Sequence, residues 1–422
     1  MANSWKNWSG GVASAPKHIA LPRSASELQT LMRTTTGNLR PVGAGHSFSP
    51  LCHTDDTLVD LRHLAGVISH ESGLVTLHAG TPLRVATHAL AALGLALPNQ
   101  GDIDHQTVAG VTATGSHGTG LALGSVATSV RAVTICTPSG EFVTWRHGVD
   151  KEFAAAAVSL GLLGIASEIT LACEPAYHLQ ASTALATTSA ALANFMAQAE
   201  ANRHFELFVF PQADRAIEKT VNRTDKPGGL TKHDNGLLDD VMLWAVCALG
   251  HLWPGASARL QRLLLRTVDG DTRHGAAHLI FPSERRLRFE ETEFAVPLAR
   301  GLECTEEILH CLRTQFPEIA FPIEVRTVAA DDLWLSPFYG EPRITISIHE
   351  RPHGRVAELF AAVAAIFDKY DGRPHLGKQH ALTAPQLRAR LPRFDDFARL
   401  RRDVDPQGRM LSPRLTSWFG DL

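Results

Sequence analysis

Apolar residues recur along this chain in two rhythms, and each rhythm predicts its own kind of element. From Ser24 the spacing is helical: Ser24 is a cap, Glu27 falls in the first turn, and Leu28, Leu31 and Met32 share a face. The run from Asn38 to Gly43 predicts a strand. Thr57-Leu58-Val59-Asp60-Leu61 and Leu74-Val75-Thr76-Leu77-His78-Ala79-Gly80 alternate at every second position between Gly, Ser and Asp boundaries, as strands do. Thr81-Pro82-Leu83 opens an Ala/Leu-rich helix that Gly94 closes. Residues 130–135 and 141–145 predict a hairpin around Pro138-Ser139-Gly140, and Gly161-Leu162-Leu163-Gly164-Ile165 leads into a strand at Ile169-Thr170-Leu171. Glu174-Pro175 marks the end of this first unit, whose expected class is α+β.

Beyond Tyr177 the texture changes to an Ala-rich helix, a strand at 205–210 and a polar loop around Lys226-Pro227-Gly228-Gly229. The most apolar run, 242–253, is too short, and too closely preceded by Asp239 and Asp240, to span a membrane. It predicts a buried or partner-facing helix, with weak membrane-surface contact or self-association as the other reading. Strands at 290–296 and 343–349 imply a second sheet.

Composition narrows the function. At 422 residues, 44% hydrophobic and 20% charged, the chain is a folded protein of at least two domains. A net charge of −3 gives no basic face for nucleic acid, so a small-molecule ligand is expected. Cys52, Cys136, Cys173, Cys247, Cys304 and Cys311 are scattered, with neither C-x-x-C nor metal-ligand spacing. They read as reduced thiols. With no apolar secretion signal at the start, the expected location is cytoplasmic.

Two glycine-rich stretches carry the candidate chemistry. Pro41-Val42-Gly43-Ala44-Gly45-His46-Ser47-Phe48-Ser49 lets a ligand approach the main chain, and successive N–H groups in such a turn form an anion nest with a histidine at its tip. Alone it reads equally as an ordinary turn. The second stretch, 108–120, interleaves small residues and hydroxyls, a pattern suited to backbone lying against a large planar or phosphorylated ligand. Together they favour a nucleotide-type cofactor. Neither is a Rossmann fingerprint, since Phe48 stands where the third glycine belongs, and no P-loop is present.

Spaced motifs in order then make the chain similar to the vanillyl-alcohol-oxidase type of flavoprotein, and within it to the aldonolactone oxidoreductases and their alditol oxidase relatives. They are Asn7-Trp8-Ser9-Gly10, the turn from Gly43 to Ser49, Ser116-His117-Gly118-Thr119-Gly120, Glu324-Val325-Arg326, Ser336-Pro337, Gly372-Arg373-Pro374-His375-Leu376-Gly377-Lys378 and Asp405-Pro406-Gln407-Gly408. The resemblance implies a PCMH-type FAD-binding domain over 1–176, an α+β cap over 177–400 and a return to the first domain over 401–422. It implies FAD bound by Val42, Gly43, Ala44, Gly45, His46, Ser47, Gly101, Gly110, Thr114, Ser116, His117, Gly118, Gly120, Gly164, Ile165 and Lys378, with a covalent link from His46 to the flavin 8α-methyl group. Where relatives usually carry Trp, this chain has Leu376.

Catalysis by such a protein needs a base for a hydroxyl proton and a cation to hold charge on flavin and substrate. Glu324 and Arg326, two apart on a strand, point to one face, as do Ser347 and His349. By spacing alone they read as a cross-strand salt bridge and a satisfied histidine. The resemblance makes Glu324, Arg326, His349 and Lys378 the expected catalytic set, and His349 rather than a histidine at 347 points to a sugar lactone over a polyol. Gly101, where the family places a small residue on the path of dioxygen, points to an oxidase that releases hydrogen peroxide.

Overall fold

The computed structural model describes residues 3–226, 245–246, 248–250, 252–266, 270, 272–283, 287–352 and 355–420. Three main sheets organise it. Strands His18–Ala20, Thr57–Asp60 and Leu39–Val42 pair in parallel with Thr57–Asp60 in the middle. An antiparallel sheet runs in the order Phe142–Arg146, Val130–Cys136, Ile165–Ala172, Leu74–His78, Val67–Glu71. The third and largest has eight antiparallel strands, in the order Thr272–Ala276, His178–Thr187, Arg215–Arg223, His204–Phe210, Ile323–Val328, Arg343–Glu350, Glu290–Pro297, Arg373–Pro374.

The local signals explain most elements. Ser24 caps the Ala25–Thr34 helix by accepting from the Glu27 N–H, and Leu28 and Met32 are fully buried beneath it. Pro82 precedes the Leu83–Ala92 helix, and Gly94 follows it at a φ of 73°. Two segments depart from the expectation. The Ala-rich stretch after Tyr177 begins as the strand His178–Thr187 and only then turns helical over Thr188–Ala201, where Thr187 caps by accepting from Ala190 N–H. Val108–Ala113 is a short helix capped by Thr107, because Val108 and Val111 pack into the core. Of the 242–253 run, 245–246, 248–250 and 252–253 are described, helical except at Trp253; Val246 is buried while Leu252 and Trp253 are exposed, and no described helix is long and apolar enough to cross a membrane.

The end of the chain is stitched to its beginning. Leu39 N–H donates to Arg409 O, Asn38 Nδ2 to Leu411 O, and Arg409 Nη2 to the carbonyls of Met32 and Thr35. Arg40 is fully buried, donating through its guanidinium to the carbonyls of Leu51, Leu160, Gly161 and Met410. Burial lowers its pKa to about 10, yet it stays charged at neutral pH, and these carbonyls replace its water. Segments from four places are thereby fixed around one cation, at the wall of the cavity described next.

Candidate active site

A cavity of about 440 Å³ opens where the strand Leu39–Val42 ends. Its wall includes Val42, Gly43, Ala44, Gly45, His46 and Ser47, then Gly110, Thr114, Ser116, Gly164 and Ile165, and finally Lys378. These twelve of the expected cofactor residues share one space. Gly101, His117, Gly118 and Gly120 do not line it. A Cβ on Gly118 would run into Gln100 O, and Gly120 N–H donates to Thr327 O at 2.8 Å while Thr119 Oγ1 donates to Phe205 O. The second glycine stretch thus divides its labour: its first half faces the cavity, and its second half joins the first part of the chain to the large sheet. Sequence reasoning passed over Arg40, Arg62, His105, Thr107 and His375, which also line the cavity.

The turn itself is an array of donors. Trp8 N–H closes it on Gly45 O at 2.7 Å, and Gly45 takes a φ of 69°. None of the N–H groups of Ala44, Gly45, His46 or Ser47 has an acceptor among the described residues. Consecutive unsatisfied donors on a cavity wall suit the oxygens of a phosphate. His46 stacks on Trp8 at 5.4 Å and lies parallel to His105 at 6.4 Å. Burial, with the nearby charges of His105 and Lys378, lowers its pKa to about 4, so its ring is neutral at pH 7 with a lone pair available.

The large sheet presents a charged row next to this cavity. Glu206 pairs with Arg326, Glu324 and Glu293 both pair with Ser347, and Glu291 pairs with His349, so these side chains share a face. They form two linked groups. In one, Arg326 reaches Glu206 through Nε at 2.6 Å, and Asp102 and Glu324 through Nη2 at 2.9 and 3.0 Å. Lys219 adds a second cation 2.6 Å from Glu206. Although burial opposes ionisation, Lys219 and Arg326 hold the Glu206 carboxyl below its ordinary range, and Arg326 is held firmly cationic by its three carboxylates. Arg326 Nη1 has no acceptor among the described residues.

In the other group, Glu291 Oε2 lies 2.5 Å from Lys378 Nζ, and its Oε1 lies 3.5 Å from His349 Nε2. Burial would raise the Glu291 pKa, but Lys378 and His349 outweigh it and bring it to about 2. Glu293 accepts from Ser347 Oγ at 2.9 Å and faces His117 Nε2 at 2.6 Å, while His117 Nδ1 faces Gly118 O at 2.8 Å. Burial resists the charge on Glu293 too, yet the His117 contact keeps it far below the usual carboxylate range. Of the expected catalytic residues, Lys378 touches the cavity, while Glu324, Arg326 and His349 stand on the adjoining sheet face. The partners Glu206, Glu291, Glu293, Lys219 and Asp102 were missed. The alternation of Glu291 and Glu293 along one strand was the available signal.

The donor turn, the small-residue wall and the neutral histidine fit a dinucleotide with an aromatic ring system. The comparisons agree. A family model described as D-arabinono-1,4-lactone oxidase matches residues 169–418, and one described as FAD binding domain matches 16–146. L-gulono-1,4-lactone dehydrogenase of Mycobacterium tuberculosis is 36% identical over 96% of each chain. L-gulonolactone oxidase of Scyliorhinus torazame is 28% identical over 99% of each. The crystal structure of cholesterol oxidase from B. sterolicum superposes with a TM-score of 0.85 at 15% identity, covering 99% of this chain and 97% of that one, which establishes a shared two-domain fold.

Gly43 tests the cradle. A Cβ there would clash with Thr107 Oγ1, which caps the Val108–Ala113 helix by accepting from Gly110 N–H at 3.1 Å. Gly43→Ala is expected to lower flavin content, read from the ratio of visible to ultraviolet absorbance, and to cost the apoprotein about 1 kcal/mol through the disturbed cap.

Proposed function

This chain belongs to the D-arabinono-1,4-lactone oxidase family and is an FAD-dependent oxidoreductase acting on CH–OH groups, and from that premise we propose that it oxidises an aldono-1,4-lactone such as L-gulono- or D-arabinono-1,4-lactone at C2. The observation that carries this reading is the charged row of the large sheet abutting the cavity wall at Lys378, an arrangement able to grip a polyhydroxylated ring. FAD, when bound, would supply the hydride acceptor; the lactone would lose a hydride and a proton, and the two electrons and two protons would reach dioxygen as hydrogen peroxide. The oxidase name of the Scyliorhinus torazame relative supports dioxygen as the acceptor, whereas Gly101, away from the cavity wall, does not bear on it. The dehydrogenase name of the Mycobacterium tuberculosis relative supports a second reading, in which another acceptor takes the electrons.

The chain's own groups would divide the work. Arg326 is held on one side by its carboxylates and offers Nη1 to a substrate oxygen, while Glu324 accepts a ring hydroxyl. Lys378, tied to Glu291, serves as the fixed cation, and His349 takes the hydroxyl proton. The lone pair of neutral His46 supports a covalent bond to the flavin: a C–N bond would form as one C–H bond at the 8α carbon and the imidazole N–H are lost, the two electrons and two protons going to dioxygen.

Anaerobic mixing with L-gulono-1,4-lactone should bleach the visible flavin band, and xylitol should not; air should restore the colour rapidly. Bleaching by xylitol alone would replace the lactone with a polyol, and slow recolouring would favour the dehydrogenase. Arg326→Ala should keep its flavin but reduce it with lactone about 100-fold more slowly or worse, a rate measurable by stopped flow. An acid-precipitated pellet of the protein should stay yellow, whereas His46→Ala should release its flavin to the supernatant.

A further inference from the structure

Lys378 is the cationic side chain that the second half of the chain contributes to the cavity wall, beside His375 and Gly377, among the described residues. Its position is fixed from two sides. The ammonium lies 5.0 Å from the centre of the Phe48 ring, two residues beyond His46, and 2.5 Å from Glu291 Oε2. Glu291 is itself immobilised: it is 5% exposed, its carbonyl accepts from Gln379 N–H at 2.9 Å, and its second oxygen lies 3.5 Å from His349 Nε2. Lys378's charge contributes to the lowered His46 pKa, so its field extends to the tip of the glycine turn.

An unpaired ammonium on this wall would strongly favour negative charge on a reduced flavin. A carboxylate in contact with it turns a monopole into a short dipole, whose field falls off faster with distance. We propose that Glu291 is a positioning residue that sets the flavin's reduction potential through Lys378, fixing where the ammonium sits and offsetting most of its charge at the ring. The function proposed above treats Lys378 only as a fixed cation. The role of Glu291 requires bound FAD but no particular substrate.

The test uses the FAD-loaded protein and sulfite, a nucleophile whose addition to flavin leaves negative charge on the ring, so that its affinity follows the site's tolerance of that charge. Glu291→Gln keeps a hydrogen-bond acceptor for Lys378 and removes the charge. It is expected to bind sulfite about ten-fold tighter or more and to raise the midpoint potential correspondingly, by about 30 mV for two electrons. In Lys378→Met the buried Glu291 loses its ammonium partner and takes up a proton, so a largely offset pair is replaced by a neutral one: sulfite should bind about two- to three-fold more weakly, and adding Glu291→Gln should change affinity by less than about two-fold.

An unchanged sulfite affinity in Glu291→Gln would overturn the proposal. So would an equal shift with and without Lys378, since the effect of Glu291 would then be independent of the ammonium. Should Glu291→Gln fail to retain flavin, Lys378→Met alone decides, and an unchanged affinity there overturns it. No lactone enters these measurements, so failure of the lactone reading leaves them standing.

Discussion

One carbonyl oxygen holds the site together. Gly377 O accepts from the N–H groups of Phe48 at 2.8 Å and Ser49 at 3.2 Å, joining the end of the glycine turn to the loop that carries Lys378. The contact is close on both sides, because a Cβ on Gly377 would lie 3.0 Å from His375 Cε1 and 3.4 Å from Thr114 Cβ. His46 and Lys378, distant in sequence, therefore face one cavity. That bond brings the donor turn to the loop of Lys378, while Gly120 to Thr327 and Asp102 to Arg326 join the same two parts of the chain at the Ile323–Val328 strand.

The sheet face that meets this cavity is costly to build. Glu206, Glu291, Glu293 and Glu324 are all less than a tenth exposed, and burying a carboxylate costs several kcal/mol unless it is paired. Every one has a cation, a histidine or a hydroxyl against it. Apolar residues of similar volume would give equal or greater stability at such positions, so the charges are best understood as machinery. Their mutual bonds fix each side chain before a substrate arrives, which lowers the cost of ordering them during a reaction.

Much of this was legible in the chain. The helix cap at Ser24, the strands around Leu58 and Leu77, and the shared face of Glu324 and Arg326 follow from local spacing and came out as expected. The donor turn at Gly43–Ser47 was legible for the same reason, since glycine permits a backbone that other residues resist. The Ala-rich stretch after Tyr177 misled, because alanine suits a helix intrinsically, while the pairing of His178–Thr187 with Arg215–Arg223 supplied strand hydrogen bonds that propensity does not count.

What the sequence determined by itself was periodic and local: which residues share a face, where the chain can turn, and, through motifs in order, the family and its cofactor. What the tertiary structure decided was pairing. Glu291 meets Lys378 and His349, and Glu293 meets His117, because of strand register and a loop that returns across the sheet, both set by packing between distant segments. The same packing turned His117 through Gly120 away from the cavity and toward the Thr327 strand. Side-chain period is a property of one strand, but the partner of a buried charge is a property of the whole fold, and only the fold could name it.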